Sequence, residues 1–187
     1  MHLSKLNYYA DFFVSMALIA LLAIIVMAKA TWLQGIEWGI YLCVGAASWT
    51  LIEYGFHRWL YHGAPYIRDL HRAHHATPNA HIGAPSLIGI ILIFMVCFAP
   101  LATTRFFAAS GLTAGMLIGY MAYMLVHHAC HYWRSTAFSW LYRARLHHAL
   151  HHYHSDEINF GITTAFWDHV FGTALEPTRR RAEPQLL

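Results

Sequence analysis

Ten of the sixteen histidines in this chain fall into four tight clusters, and two of the clusters begin directly at the end of a long apolar segment. The clustered histidines are His57, His62, His71, His74, His75, His127, His131, His148, His151 and His152. Residues three or four positions apart share a face of a helix, so most of these side chains point the same way as their neighbours. Imidazole is the commonest metal ligand among protein side chains. The pattern therefore predicts a helical protein that holds metal at a membrane surface.

The composition is that of a membrane protein. Hydrophobic residues make up 58% of the 187 residues and charged residues only 11%, whereas an average soluble domain has about 25% charged residues. The net charge of +3 is small, and the basic run at residues 179–181 fits a membrane-surface anchor better than a nucleic-acid site. Three cysteines without a CxxC spacing argue against a disulfide framework.

Four segments have the length and hydropathy to cross a bilayer, which takes about 20 apolar residues. They cover approximately residues 11–28, 37–56, 86–104 and 110–126. The third begins beside Pro85 and is expected to kink at Pro100. Short turns join the segments in two pairs, so we expect an all-α integral membrane protein with four transmembrane helices in two hairpins. Residues 1–187 then form one domain, with a flexible tail over residues 178–187.

The basic residues predict the orientation. Ten of the twelve lie before the first segment, between the second and third, or after the fourth, and only Lys29 and Arg105 lie in the two turns. The positive-inside rule then puts both termini and the region 58–85 in the cytoplasm. All four histidine clusters fall on that same side, in a predicted cytoplasmic cap of short helices.

The number of histidines suggests two metal ions. A zinc site takes about four ligands, so ten imidazoles would serve two ions with four or five ligands each. His57 and His62 are five residues apart, a spacing that a regular α-helix would splay, and the break at residues 63–65 predicts a helix end that brings them together. Mostly neutral ligands leave a high positive charge on the centre, which favours an iron-based oxidant made from O₂. Zinc, which does no redox chemistry, is the alternative metal, because affinity alone does not select iron over zinc.

Five sequence motifs resemble those of the fatty acid hydroxylase superfamily of integral-membrane, non-haem di-iron proteins, most closely the fatty acid 2-hydroxylase branch. They are HRWLYH at residues 57–62, LHRAHH at 70–75, GYMAYMLVHHACH at 119–131, HHALHHYH at 147–154 and NFGITTAFWDHVFGT at 159–173. The resemblance is strongest over residues 57–173, and it puts the ten histidines on the positions that the family uses as metal ligands.

The resemblance implies O₂-dependent hydroxylation of an unactivated C–H bond on a membrane lipid, with two iron ions as cofactors. About ten residues precede the first apolar segment, so the expected electron donor is a separate protein. In the fourth segment Tyr120 and Tyr123 are followed by Met124, where the branch commonly has an acidic residue. A purely apolar substrate, rather than a ceramide or another sphingolipid, is therefore expected.

Residues outside the clusters are candidates for supporting roles. Glu53, one turn before His57 and inside an apolar segment, is expected to accept the second N–H of a ligand histidine or to pair with Arg58. Tyr120 is a candidate to line the substrate channel.

Three further candidates follow the fourth cluster. His154 and Asn159 are candidates to lie next to the ligands, Asn159 by holding a water molecule near a metal. Asp168 is expected to anchor local structure instead.

Other functions share parts of this pattern. Carotenoid ring hydroxylases have a similar size and similar motifs, although HxxxH in the third cluster departs from the HxxxxH expected of them. A sterol desaturase or demethylase is a second enzyme alternative. A non-redox zinc-binding membrane protein is an alternative of a different class.

Overall fold

Helices form all the regular structure in residues 4–81, 87–137 and 139–175, which are the residues that the computed structural model describes. The helices are α1 (Lys5–Lys29), α2 (Trp32–Gly55), α3 (Pro65–Ala76), α4 (Ile88–Ile93), α5 (Phe106–Tyr132), α6 (Trp140–Tyr153) and α7 (Phe166–Phe171). Two of them continue in π-helical geometry, α2 over Phe56–Tyr61 and α4 over Phe94–Phe98. The all-helical prediction is confirmed.

The turn between α1 and α2 is set by local capping. Thr31 accepts the backbone N–H of Gln34 through its hydroxyl, and the Gln34 side chain in return accepts the backbone N–H of Thr31. This capping box satisfies N–H groups that the first turn of a helix leaves unpaired. A new helix therefore starts with only two residues between it and the end of α1.

Glycines allow α2 and α5 to pack backbone against backbone. A Cβ atom on Gly111 would overlap the carbonyl oxygen of Trp38, and one on Gly115 would overlap that of Leu42. Further along, Gly119 lies against the Trp49 side chain. Small residues of this kind are typical of helix contacts inside membranes, because association there depends on close packing.

The same contacts show that α2 and α5 run parallel. The position along α5 rises with the position along α2, from the Trp38–Gly111 contact to the Trp49–Gly119 contact. His57 and His127 lie eight residues beyond Trp49 and Gly119, respectively. Because both helices rise by about 1.5 Å per residue, the two histidines reach the same level. A hydrophobic core of Trp49, Ile90, Ile93, Cys97, Met116 and Leu117 fills the space between α2, α4 and α5.

Among the described residues, three helices have the length and hydropathy to cross a membrane, one fewer than the four predicted. They are Lys5–Lys29, Trp32–Tyr61 and Phe106–Tyr132. The third predicted segment forms a shorter apolar helix, Ile88–Phe98, which spans at most about 16 Å at about 1.5 Å per residue. Pro100 lies in the turn after this helix instead of kinking it. The start of that segment, with Pro85, lies outside the described residues, as do the basic run at 179–181 and the tail at 178–187.

We expect Gly115→Ala to lower the free energy of unfolding by about 1–3 kcal/mol, because the added methyl group forces α2 and α5 apart. Gly39→Ala on α2 is the matched control, since no atom lies within 4 Å of the position its Cβ would take. Thermal unfolding of the two purified variants in detergent measures the difference. Equal midpoints would contradict close packing at Gly115.

Candidate metal centre

A π-helical turn places the first pair of histidines. His57 lies in the π-helical segment Phe56–Tyr61 and His62 caps its end. Backbone hydrogen bonds of a π-helix join residues five apart, which brings side chains at that spacing to one face. The two rings lie 5.5 Å apart between centroids. The predicted helix end at residues 63–65 is therefore not what brings them together.

The ten histidines form two groups of five, each with one ring nitrogen per residue and all five nitrogens within 4.8 Å of one another. The first group is His57, His62, His71, His75 and His151, and the second is His74, His127, His131, His148 and His152. Helices α3 and α6 each contribute to both groups. The groups are adjacent, because the rings of His75 and His152 stack at 4.1 Å.

Distances within the groups fit metal coordination. Neighbouring Nε2 atoms lie 3.0 to 3.2 Å apart along the series from His57 to His75 and from His74 to His148. Two nitrogens that each lie about 2.1 Å from one ion are about 3.0 Å apart at a right angle and about 3.4 Å apart at the tetrahedral angle. The geometry therefore matches five or six ligands better than four.

Unpaired nitrogens support the same interpretation. Within the described residues, the Nε2 atoms of His62, His151 and His152 are buried and have no hydrogen-bond partner. A buried polar atom without a partner is costly. A metal ion at the centre of each group would take up these lone pairs, so the residues fit the two ions that the sequence predicts.

Backbone carbonyls orient two ligands of the first group. His57 donates from Nδ1 to the carbonyl of Phe160 at 2.5 Å, and His151 donates from Nδ1 to that of Ile158 at 2.7 Å. Since the carbonyls can only accept, these bonds fix the proton on Nδ1 and leave Nε2 free for a metal. Such outer hydrogen bonds commonly set the orientation of metal-binding histidines.

Glu53 holds the loop that carries those carbonyls. Its buried carboxylate accepts the backbone N–H groups of Ile162 and Thr163 and the Thr163 hydroxyl, each at 2.7 Å. Glu53 was expected to bind a ligand histidine or Arg58. It accepts hydrogen bonds from the loop instead, and Arg58 donates to the Tyr54 hydroxyl.

Asp168 holds the same loop from the other side. It accepts the N–H groups of Phe160 and Gly161, the Thr173 hydroxyl and the Nε2–H of His147. Burial alone would raise the pKa of Asp168, but these hydrogen bonds lower it below the usual value. Asp168 anchors local structure, as expected, and the anchored segment is the one that orients the ligands. A lone Asp gives no sequence signal for that contact.

Asn159 lies in the loop after α6, and His154 lies at the end of α6. Asn159 adopts a left-handed backbone conformation, with φ of 54°, and its side chain binds the backbone N–H and carbonyl of Leu175. These hydrogen bonds fasten the loop. His154 is exposed at the end of α6, and within the described residues its ring contacts none of the ten histidines.

Burial keeps the imidazoles neutral. It is the main cause that lowers the pKa of His75 to about 4, of His74 and His151 to about 3 and of His152 to about 2. Neighbouring histidines lower these values further, because charging one ring disfavours a charge on the next. Neutral imidazole is the form that binds metal, so protons hardly compete with a metal ion near pH 7.

In the described part of the protein, two cavities that share no lining residue reach the histidines. The first, of about 310 Å³, has His57, His71, His74 and His127 in its wall, with Asp11 and Tyr120 further along it. Tyr120 lies in the wall of this cavity and donates to Asp11 at 2.7 Å.

The second cavity, of about 460 Å³, lies beside three histidines of the second group. His131, His148 and His152 contribute to its wall, together with the polar residues Ser135 and Arg145. It is more polar than the first cavity and lies away from Asp11 and Tyr120.

Known proteins share both the sequence and the fold. The model of the fatty acid hydroxylase family matches residues 42–173. The ceramide very long chain fatty acid hydroxylase SCS7 of Saccharomyces cerevisiae is 35% identical over 150 residues, 72% of this chain and 38% of that protein. Fatty acid 2-hydroxylase of Rattus norvegicus is 30% identical over 156 residues, 76% of this chain and 41% of that protein. The chain spans about two fifths of the length of these two relatives.

A solved structure has the same architecture. The structure of full-length Scs7p, in which only the hydroxylase domain is visible, superimposes with a TM-score of 0.72 at 26% sequence identity. The match covers 92% of this chain and 68% of that chain.

Asp168→Asn is expected to weaken metal retention in the first group about 10–100-fold, because an amide nitrogen cannot accept the loop N–H groups and the carbonyls that face His57 and His151 then shift. Elemental analysis after dialysis should show the number of bound metal ions falling from two towards one per chain. Glu157→Gln, at an exposed acid near the same loop, is the control. Unchanged metal content in Asp168→Asn would refute the coupling.

The metal-free protein should lose stability as the pH falls from 7 to 5. The unfolded chain takes up protons on histidine near pH 6.5, whereas folded His74 and His151 have a pKa of about 3. Since the unfolded state binds more protons in that window, acid favours unfolding, and the dependence flattens below about pH 3.

Thermal midpoints at several pH values measure this dependence. His151→Gln should flatten the slope, whereas His154→Gln, outside both groups, should leave it as in the unmodified chain. A midpoint that rises between pH 7 and 5 is the contrary result.

Proposed function

Because the chain belongs to the fatty acid hydroxylase family, we propose that it hydroxylates an unactivated C–H bond of a membrane lipid with O₂ at a centre of two metal ions. One observation carries the proposal: both five-histidine groups contribute to the wall of a cavity that membrane-length helices enclose. Fatty acyl chains are the preferred substrate, because the names of the relatives describe fatty acid and ceramide hydroxylases.

Iron fits the site better than zinc. Five imidazoles per group, with neighbouring nitrogens near right-angle separation, exceed the four tetrahedral ligands typical of structural zinc. Two iron ions, when bound, would supply the activation of O₂ and the oxidising power. The residues of the chain hold the ions, keep the imidazoles neutral and orient His57 and His151 through the loop carbonyls.

The cavity wall positions the lipid and keeps water out. Trp49, Leu60, Leu92 and Ile162 add apolar side chains to the wall that also contains the histidines and Asp11. An acyl chain in this cavity would place a C–H bond beside His57 and His127. A dry wall also protects a reactive oxidant from water.

A separate protein supplies the electrons in this proposal. The second cavity offers it a route to His131, His148 and His152 that an occupied lipid cavity would leave open. The polar wall, with Arg145 and Ser135, suits an aqueous approach.

The centre faces the cytoplasm in this proposal, and the chain crosses the membrane four times. Since α2 and α5 run parallel, the chain between them has to return to the side on which both helices begin. Helix α4 and the turn at residues 99–104 make this return, although α4 alone is too short. The distribution of basic residues supports the cytoplasmic side.

His148→Ala is expected to abolish hydroxylation, because it removes a buried ligand from the second group. Cells that express the chain under ¹⁸O₂ should accumulate lipid with one added ¹⁸O atom, and cells with the variant should not. His154→Ala is the control for loss of an exposed histidine.

Elemental analysis of the purified chain accompanies the lipid profile. About two iron ions per chain are expected, and His148→Ala should lower that number while its helical circular dichroism stays unchanged. Less than one metal ion per folded chain would refute the dimetal centre. Identical lipid profiles with and without His148→Ala would count against a hydroxylase.

A further inference from the structure

Asp11 is a buried carboxylate inside the first membrane-length helix. Its residue is only 8% exposed, and within the described residues no cation forms a salt bridge with it. Burying a carboxylate without a cation is costly, and ionisable residues inside membrane segments are usually retained for function. Neither the metal groups nor the loop that orients them uses Asp11.

The contacts of Asp11 leave part of its hydrogen-bonding capacity open. Oδ1 accepts the backbone N–H of Leu87 and Oδ2 accepts the Tyr120 hydroxyl, both at 2.7 Å. A carboxylate offers about four acceptor sites, so about two remain without a donor in the described part of the protein. Asp11 and Tyr120 both lie in the wall of the lipid cavity, and a bound molecule can therefore supply the missing donors.

The cavity consequently has two different ends. Tyr120 precedes His127 by seven residues on α5, or about 10 Å along the helix. The histidines form one end and the Asp11–Tyr120 pair forms the other. Met124 lies in the same wall. Its apolar side chain is the reason that the sequence predicts a substrate without polar groups. Helix α1 brings a carboxylate into that cavity from a part of the sequence that carries no histidine cluster.

Fastening α1 to α5 does not by itself require a charge. An uncharged acceptor could hold the Tyr120 hydroxyl at a lower desolvation cost. A carboxylate gains most when a further donor binds it in a dry site, because hydrogen bonds to charged groups are the stronger ones.

We propose that Asp11 is a specificity-determining residue that binds a hydroxyl or amide N–H of the lipid substrate while the apolar chain extends to the histidines. The proposal rests on the proposed function, because the cavity is taken to hold the lipid that is hydroxylated. Lipids that lack such a donor are then poorer substrates than lipids of equal chain length that carry one.

The test compares two lipids that differ only in their donors. One is an N-acyl amino alcohol, and the other is its N,O-dimethyl analogue with the same chain. The purified chain in lipid nanodiscs, supplied with reductant and O₂, should prefer the first. Asp11→Asn should lower that preference in kcat/KM about ten- to a hundredfold, mainly through KM, because its amide NH₂ group opposes a donor. An equal loss for both lipids would overturn the proposal.

Tyr120→Phe separates recognition from fastening. Tyr120→Phe breaks the hydrogen bond between α1 and α5 and keeps the carboxylate, whereas Asp11→Asn removes the carboxylate and keeps an amide oxygen that can accept from Tyr120. Tyr120→Phe should therefore retain the preference for the donor lipid. If Asp11 serves only to fasten the helices, Tyr120→Phe will lower the thermal midpoint and the preference at least as much as Asp11→Asn does, and the proposal is wrong.

Binding of the same two lipids, measured by native mass spectrometry, separates this proposal from the proposed function. If neither lipid is hydroxylated but the unmodified chain binds the donor lipid more tightly and Asp11→Asn does not, the proposed function fails and the role of Asp11 stands. If both lipids bind the unmodified chain equally, the role of Asp11 fails whatever the turnover.

Discussion

The parallel packing of α2 against α5 determines where the histidines meet. Lipid offers no hydrophobic drive between helices, so close backbone contact supplies the association. Gly111 and Gly115 allow that contact against Trp38 and Leu42. A slip of one residue would shift one helix by about 1.5 Å and rotate its histidines by about 100°. Glycines far from the metal centre thus fix its geometry, because His57 and His127 keep their common level only in this register.

Burial has opposite uses for the imidazoles and for the carboxylates around them. It favours neutral imidazole, and the protein gains a donor set with no proton to displace. Burial disfavours the charged form of Glu53 and Asp168. Backbone N–H groups and hydroxyls of the loop offset that cost by donating hydrogen bonds to the two carboxylates. The charge of each carboxylate is therefore satisfied within the protein, and the loop carbonyls are held where His57 and His151 need them. Asp11, in contrast, accepts hydrogen bonds from only two donors in the described part of the protein.

The sequence predicts what depends on local pattern. Apolar length predicted the long helices, and i, i+3, i+4 spacing predicted shared faces on α3, α5 and α6. What it missed depends on distant contacts. The division of the α3 histidines between two groups follows from tertiary packing. The π-helical turn at His57 departs from regular α-helical geometry. The loop that contacts Glu53 lies more than a hundred residues from Glu53 in the sequence. The short α4 reflects a turn at Pro100 that apolar composition concealed.

The two histidine groups are supported by different means, although each has five members. Carbonyls of one loop accept hydrogen bonds from His57 and His151 in the first group. Within the described residues, no backbone carbonyl accepts from a ring of the second group, and the Nδ1 atoms of His148 and His152 are buried without a partner. Helices α3, α5 and α6 position the second group, and it lies beside the polar cavity. Within the described residues, the loop that contains Ile158 and Phe160 therefore orients, through hydrogen bonds, ligands of the first group only.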